Sequence, residues 1–518
     1  MAALPSWGVH LATSQGQFLS TGLIQMAEWQ STVTPPALAR LLRGTPLPEA
    51  TGHRPAYRTL AGQVRLLVSE GRLPVGARLP AERELAQVLE LSRTTVATAY
   101  EALRTEGYLR SRRGSGSWTT LPEGSRPPTD ALHPVPPDER DRTLDLGVAA
   151  LPAPQPYLGL AAARAVEQLP AYAAGHGNFP TGVPVLREAI ARRYTERGLP
   201  TTPDQILVTT GAMAALQLVQ RALLSRGDRV AVEAPSYAHT LQALRRAEAR
   251  LVPVPYAGSG WDLPEWQRVL RGAAPRLAYV IPDFHNPTGA LVDEEQRRAL
   301  LAAARSAGTT VLVDETPAEL DWGLGDLTMP RPTAALDRSA QVVTVGSASK
   351  ILWGGLRIGW VRANAALVRQ LATDRVYTDI GSPVLDQLIA AEMLTEHLPA
   401  IRADRHERLR ASAEGLAAAL HEQLPHWQVT LPPGGLALWV GTGGLSGSAL
   451  AQAGEQTGVR IAAGSRFGVD GAFEHHVRIP LTVPGPAAAE AVARLAATAE
   501  LAATGRWNGL DSTLPLAV

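Results

Sequence analysis

Apolar residues recur at helical spacing near the start of the chain and give way to short continuous apolar runs in its longer second part. PPALARLLRG, Pro35 to Gly44, reads as a short amphipathic helix. In residues 58–70, Leu60, Val64, Leu67 and Val68 share one helical face, and Gly71 and Pro74 end it. Two further helices are predicted, Glu82 to Leu89 and Arg93 or Thr94 to Glu106, separated by the tight Glu90-Leu91-Ser92 turn. Ala86, Leu89, Leu91, Val96, Tyr100 and Leu103 supply the contacts that fix the pair. Tyr108 to Thr120 reads as two short strands around a Gly-Ser-Gly tip. Beyond it, Leu121 to Arg140 carries six prolines in twenty residues and reads as a semi-rigid linker. From Ile206 onward apolar strands alternate with helices, with strands expected at Arg229 to Glu233, Leu251 to Val254, Leu277 to Ile281, Thr309 to Asp314 and Gln341 to Val345. That alternation predicts a largely parallel sheet covered on both faces.

A length of 518 residues suggests two to four domains. The pattern divides them as an N-terminal extension (1–51), a helical module (52–120), the linker (121–140), a large α/β domain with its lead-in (141–395), and a smaller C-terminal α+β subdomain and tail (396–518). Zero cysteines exclude disulfides, thiolate nucleophiles and cysteine-ligated metals. The first Lys or Arg is Arg40, no signal-peptide pattern opens the chain, and no apolar run approaches the roughly 18 residues of a membrane span, so a cytoplasmic location is expected. The net charge of +1 is uneven: residues 52–120 hold 11 Arg against 6 Glu and no Asp. A compact basic module points to nucleic acid more than to membrane.

Within that module Ser92, Arg93, Thr94, Thr95 and Thr98 lie near the exposed start of the second helix of the pair, where short hydroxyls and a guanidinium can reach bases and phosphates. Arg110, Arg112 and Arg113 flank the Gly-Ser-Gly tip as the cations of a wing. Spacing alone leaves an ordinary basic helical bundle as the alternative. The run Leu79-Pro80-Ala81-Glu82-Arg83-Glu84-Leu85-Ala86 through Leu91-Ser92-Arg93-Thr94-Thr95-Val96, with Gly107-Tyr108-Leu109 and Arg112-Arg113-Gly114-Ser115-Gly116-Ser117, resembles the GntR-type winged helix-turn-helix. The resemblance implies Arg83 and Arg93 on phosphates of double-stranded DNA, Thr94, Thr95 or Thr98 near bases, and Gly116 in the wing turn.

Among 49 Lys plus Arg residues, Lys350 is the only lysine. Arginine replaces a solvated cation well but cannot form an imine. Lys350 follows a predicted strand in Gly346-Ser347-Ala348-Ser349-Lys350, and other strand ends carry Thr210-Gly211-Ala212, Pro235-Ser236-Tyr237, Asp283-Phe284-His285-Asn286-Pro287-Thr288-Gly289 and Val313-Asp314-Glu315. Ligands of such sheets bind beyond the carboxyl ends of the strands. An aldehyde cofactor needs Lys350, and Asp314 can hold its ring nitrogen protonated. Tyr237 can stack on the ring, Asn286 can donate to the ring oxygen, and Ser347, Arg357 and the Gly211 and Ala212 amides suit a phosphate. Each has a plainer reading: Asp314 as a turn cap, Tyr237 as a core aromatic, Arg357 as a surface charge. His285 either lines the pocket or is an ordinary loop residue. Adjacent His475 and His476 do not make a metal site, and no Gly-x-x-x-x-Gly-Lys motif is present.

These strand-end motifs, with Gly355-Leu356-Arg357-Ile358-Gly359, resemble the fold-type I aminotransferases, which bind pyridoxal 5'-phosphate. The resemblance implies Lys350 as Schiff-base lysine, Asp314 as ring-nitrogen partner, Asn286 as donor to the ring oxygen, Tyr237 as stacking aromatic, and Gly211, Ala212, Ser347, Ser349 and Arg357 on the phosphate. It also implies Arg478 on a carboxylate of the amino compound. Two tyrosines that the family uses are absent: Thr316 and Pro317 follow Asp314-Glu315, and Gly177 stands where a tyrosine reaches across the dimer. The whole order resembles the MocR subfamily of GntR-type regulators, which implies a head-to-tail homodimer reading paired half-sites. The expected function is a pyridoxal-phosphate-dependent transcriptional regulator that senses an amino compound or the cofactor itself. Completed transamination is expected to be very slow or absent, because both phenols are missing. The alternatives are an active aminotransferase with an appended DNA-binding module and, less favoured, an interaction protein retaining a dead cofactor fold. Nothing in the sequence chooses among pyridoxal phosphate, γ-aminobutyrate, taurine and a D- or L-amino acid as effector.

Overall fold

The computed structural model describes residues 32–43, 55–69, 71–112, 116–122, 142–257, 260–323, 328–339 and 341–504. Helices α1 (Pro35–Arg43), α2 (Ala56–Ser69), α3 (Glu82–Leu89) and α4 (Arg93–Thr105), with an antiparallel hairpin of β1 (Leu109–Arg112) and β2 (Gly116–Thr119), form the N-terminal module. Leu38, Leu60, Val64, Leu67, Leu85, Val96, Tyr100 and Leu103 make its core, so the apolar stripes read from spacing do converge. Glu90 ends α3 in the left-handed region at φ 56°, and Ser92 caps α4 by accepting the Thr95 N–H at 3.0 Å. One boundary needs correction: α1 falls by sequence in a separate extension, yet Leu38 and Leu42 are buried in this core and Val33 N–H bonds to Arg78 O. The packed unit therefore begins before residue 52.

The large domain is built on an eight-stranded sheet of order β4-β11-β10-β9-β8-β5-β6-β7. Its strands are β4 (Ile206–Thr209), β5 (Arg229–Ala234), β6 (Arg250–Ala257), β7 (Gly260–Trp261), β8 (Leu277–Val280), β9 (Thr310–Asp314), β10 (Val342–Ser347) and β11 (Gly359–Arg362). The strands β6, β5, β8, β9 and β10 run parallel, and β11 enters antiparallel between β10 and β4. Alternate residues serve two cores: Val311 and Val313 face one helical layer, Leu312 the other. A second sheet, β12-β14-β13-β3, joins β12 (Ala437–Gly441), β13 (Val459–Ala463) and β14 (His476–Pro480) to β3 (Leu144–Leu146). The lead-in strand β3, assigned from sequence to the large domain, thus pairs with the C-terminal subdomain in parallel register with β13. Helix α2 of the module packs against the subdomain helix Gly447–Thr457.

Candidate functional site: a crevice at the strand ends and an exposed helix start

The carboxyl ends of β4, β5, β8, β9 and β10 surround one crevice lined by Ala212, Tyr237, Asn286, Asp314, Ser347, Ser349, Lys350 and Arg357. At the end of β4 the chain turns through Gly211 at φ 87° into the helix Ala212–Leu223, whose first N–H groups open on the crevice. A side chain at 211 would fail twice, by its backbone angle and because its Cβ would lie 2.5 Å from Arg357 Nη2. Arg357, itself left-handed at φ 52°, is held across this turn by its donations to Thr210 O at 3.3 Å and Gly354 O at 3.2 Å. Ser347 closes β10 and accepts the Ser349 N–H at 3.1 Å. Guanidinium, hydroxyls and free helix N–H groups thus form an anion cradle.

Lys350 sits in the single turn Ser349–Trp353 after β10, its Nζ donating to Ala149 O at 2.8 Å. Burial, with Arg478 nearby, lowers its pKa to about 8, which Asp314 opposes. Asp314 ends β9; Oδ1 accepts the Thr316 N–H at 2.9 Å and Oδ2 the Tyr279 hydroxyl at 2.7 Å. Burial raises its pKa, and hydrogen bonds from Thr316 and Tyr279 and the charge of Lys350 pull the other way. The loop bearing Asn286 is tied down by a buried ion pair, Arg297 to Asp283 at 2.6 Å. Asn286 Oδ1 is buried and has no partner among the described residues. Tyr237 lines the crevice with its hydroxyl 2.8 Å from His239 Nδ1. A cradle that a Cβ would fill, an amine of lowered pKa and a buried carboxylate fit pyridoxal phosphate.

Arg478 stands apart. It is 3% exposed on β14, donates to Gly147 O and lies 5.0 Å over the Phe467 ring, and is not among the residues lining the crevice. Pro317 lines the wall, and Gly177 is half-buried with nothing within 4 Å of an added Cβ. Sequence reasoning missed Tyr279 and Thr240, which also line the crevice; Tyr279 lies inside an apolar strand and Thr240 inside a helix, where nothing local marks either as polar to the site. His285 is a pocket residue in a buried network: Nδ1 meets Thr288 Oγ1 at 2.8 Å, and Nε2 lies 3.3 Å from Glu233 Oε2. Among the described residues no cluster suits a metal ion.

On the N-terminal module, Arg83, Arg93, Thr94 and Thr98 are exposed around the start of α4. Ser92 is exposed and Thr95 half-buried, and the two hydroxyls are bonded to each other at 2.8 Å while Ser92 Oγ also accepts the Thr95 N–H. Arg93 has a loose ion pair with Glu82 at 4.0 Å. Gly116 at φ 114° starts β2 against Arg78, as a tight wing requires. The backbone of Arg112 ends β1, and Arg113 lies outside the described residues.

Comparison with known proteins matches both units. Residues 158–495 fit the family described as aminotransferase class I and II, and residues 56–118 fit the bacterial regulatory proteins of the gntR family. The chain is 32% identical over 410 residues to the probable rhizopine catabolism regulatory protein MocR of Rhizobium meliloti, covering 72% of this chain and 78% of that protein. It is also 32% identical over 308 residues to a 2-aminoadipate transaminase of Thermus thermophilus, covering 59% of this chain and 77% of that one. The crystal structure of LysN, the α-aminoadipate aminotransferase of Thermus thermophilus complexed with N-(5'-phosphopyridoxyl)-L-leucine, aligns with a TM-score of 0.63 at 30% identity, over 68% of this chain and 91% of that one. A helix-turn-helix module followed by an aminotransferase domain, together with the match to the MocR protein, places the chain in the MocR subfamily of the GntR-type transcriptional regulators.

Proposed function

We propose that this DNA-binding regulator holds pyridoxal 5'-phosphate at Lys350 and changes its grip on an operator when an amino compound, or the cofactor itself, occupies the crevice. The observation that carries the reading is the only lysine of the chain, half-buried with its pKa lowered to about 8, in a crevice it shares with the Asp314 carboxylate and Arg357. The cofactor would supply an aldehyde for a covalent bond and an electron-withdrawing ring. The chain's part is to present Lys350 partly neutral near pH 8, to keep Asp314 beside the ring nitrogen, and to hold the phosphate with Ser347, Ser349, Arg357 and the Ala212 amide; the Gly211 N–H is already given to Thr209 O at 2.9 Å, so Gly211 serves by shaping the turn rather than by donating. Asn286 would donate to the ring oxygen, Tyr237 would stack on the ring, and Arg478 would grip a carboxylate after turning from Gly147. Pro317 and Gly177 offer no phenol to move protons, which favours binding over completed transamination. Contact of α2 with the subdomain that carries Arg478 supports coupling of the two units. A head-to-tail homodimer in the cytoplasm, with two modules on paired half-sites, completes the reading. Among the described residues no helix is long and apolar enough to cross a membrane.

The second reading is a working aminotransferase with an appended module. It is favoured by the presence of Lys350, Asp314 and Asn286 together in one crevice. An amine panel read by absorbance, with and without operator DNA and followed by keto-acid detection, separates the two. The regulator reading expects a spectral change and a change in DNA affinity over the same concentration range, because coupling is reciprocal. Multiple turnover at about 1–1000 per second, with ligand affinity indifferent to DNA, selects the enzyme.

A further inference from the structure

Asp314 is the only acid lining the crevice among the described residues. One of its oxygens is held by its own loop, through the Thr316 N–H, and the other by the neighbouring strand, through the Tyr279 hydroxyl at 2.7 Å. Tyr279 faces Leu312 across the β8–β9 ladder, so two-residue alternation brings it to the face on which Asp314 points. Its hydroxyl in turn accepts from Thr240 Oγ1 at 3.2 Å, on the helix Ala238–Arg246 that follows Tyr237. Tyr279 and Thr240 are each 1% exposed. A phenylalanine would fill the same apolar space beside Leu277 and Leu312 without burying a hydroxyl, so packing alone does not account for the phenol.

We infer that Tyr279, backed by Thr240, is a positioning residue that fixes the Asp314 carboxylate toward the ring nitrogen of the bound cofactor; the inference rests on the cofactor reading above. A hydrogen bond donated to a carboxylate favours its charged form, which burial opposes. Burial, with Asp314 and Glu233 as neighbours, holds the Tyr279 phenol far above its ordinary pKa, so it remains a donor throughout the working pH range. The charged groups facing Lys350 are Asp314, Arg478 and Arg357. The chain therefore lacks phenols where the family places two of them and has one behind the carboxylate that tunes the ring. Without that donor Asp314 would become more basic and would hold the proton it is meant to leave on the ring nitrogen of a bound cofactor; such a cofactor would withdraw electrons less, and Lys350 bound to it would keep its proton to higher pH.

The test uses full-length protein reconstituted with pyridoxal 5'-phosphate. Tyr279→Phe should still take up cofactor but release it about tenfold faster or more, as loss of a bond to a charged group implies. The pH midpoint of its visible absorption band should move upward. Thr240→Val should shift both readouts the same way by less, and Thr240→Ser should behave as wild type. In an Asp314→Asn background Tyr279→Phe should add nothing. Wild-type release and midpoint in Tyr279→Phe, or an equal change in the Asp314→Asn background, overturns the inference while leaving the cofactor reading intact. Wild-type protein that takes up no cofactor sinks both. If Tyr279→Phe does not fold, the Thr240 pair decides: identical behaviour of Val and Ser overturns the inference.

Discussion

The crevice and the recognition face use the same side-chain types under opposite conditions. Lys350, Asp314 and Ser347 lie at buried strand ends with fixed partners, whereas Arg83, Arg93, Thr94 and Thr98 stand in solvent on a helix pair. Burial turns a small change of partner into a large change of proton affinity, as in Lys350 and Asp314. Each exposed cation stays hydrated until a phosphate replaces its water, and each contact then adds a modest, salt-dependent increment. Chemistry is thus built into the crevice by the fold, and DNA affinity is assembled at the moment of binding. Single substitutions should accordingly be decisive in the crevice and graded on the module.

The largest effect is expected at Lys350. In wild-type protein, borohydride should fix pyridoxal phosphate to the peptide containing Lys350; in Lys350→Ala it should fix none, because the chain holds no other lysine. DNA binding by the module should survive the change. Mass spectrometry of the reduced protein checks this, and stable labelling of Lys350→Ala would falsify the assignment.

Next comes the cradle. Gly211→Ala must place a Cβ 2.5 Å from Arg357 Nη2 at a φ of 87°, so the guanidinium or the turn has to move. Arg357→Ala removes a charge-assisted contact of about 1.5–3 kcal/mol. Each should weaken cofactor retention on dialysis by roughly ten- to hundredfold. The double variant should lose less than the sum, since both changes act on one phosphate. Full additivity would mean that the two residues do not share a ligand.

A pH series sharpens the comparison further. The pKa of Lys350 falls from 10.5 to about 8 on folding, so the folded apo-protein binds fewer protons than the unfolded chain between those values. Stability of the apo form should therefore rise with pH across that window, because the cost of a buried ammonium disappears. The rate of covalent cofactor uptake should rise with a midpoint near pH 8. An uptake midpoint near 10.5 would place Lys350 in an ordinary solvated setting. Lys350→Met should remove the stability slope, as measured by chemical denaturation.

What was legible in the sequence follows the same division. Strand ends announced themselves because an apolar run broke into Gly, Ser, Asp or Asn, and Asp314, Lys350 and Asn286 do line one crevice, with Gly211 packed against Arg357, which also lines it. Tyr279 stayed hidden because inside an apolar strand a phenol reads as core, and only the neighbouring strand reveals its partner. The pairing of β3 with β13 joins residues more than three hundred positions apart and leaves no local trace. Arg478 came to attention only through the resemblance, which implies a carboxylate partner, and no sequence pattern shows its direction, toward Gly147 and over Phe467. On the module, spacing located α3 and α4, but it did not show that Ser92 caps α4 and bonds to the Thr95 hydroxyl. Ser92→Ala should therefore cost about 1 kcal/mol of module stability, and a Tm unchanged by this substitution would contradict the cap.

The smallest effects belong to the recognition face, where Arg93 and Thr98 separate two roles. Arg93 has only a 4.0 Å ion pair with Glu82 and a side chain 73% exposed, so Arg93→Ala should leave the Tm within error. If its guanidinium meets a phosphate, affinity should fall uniformly across operator variants, and the slope of log K against log salt should flatten by about one unit. Thr98 is exposed on α4, so Thr98→Ala should change the ranking of operator variants while keeping the slope. Salt titrations on a set of single-base operator variants read both quantities at once. A slope unchanged in Arg93→Ala would remove Arg93 from the phosphates, and a ranking unchanged in Thr98→Ala would leave sequence reading to other residues of the helix start.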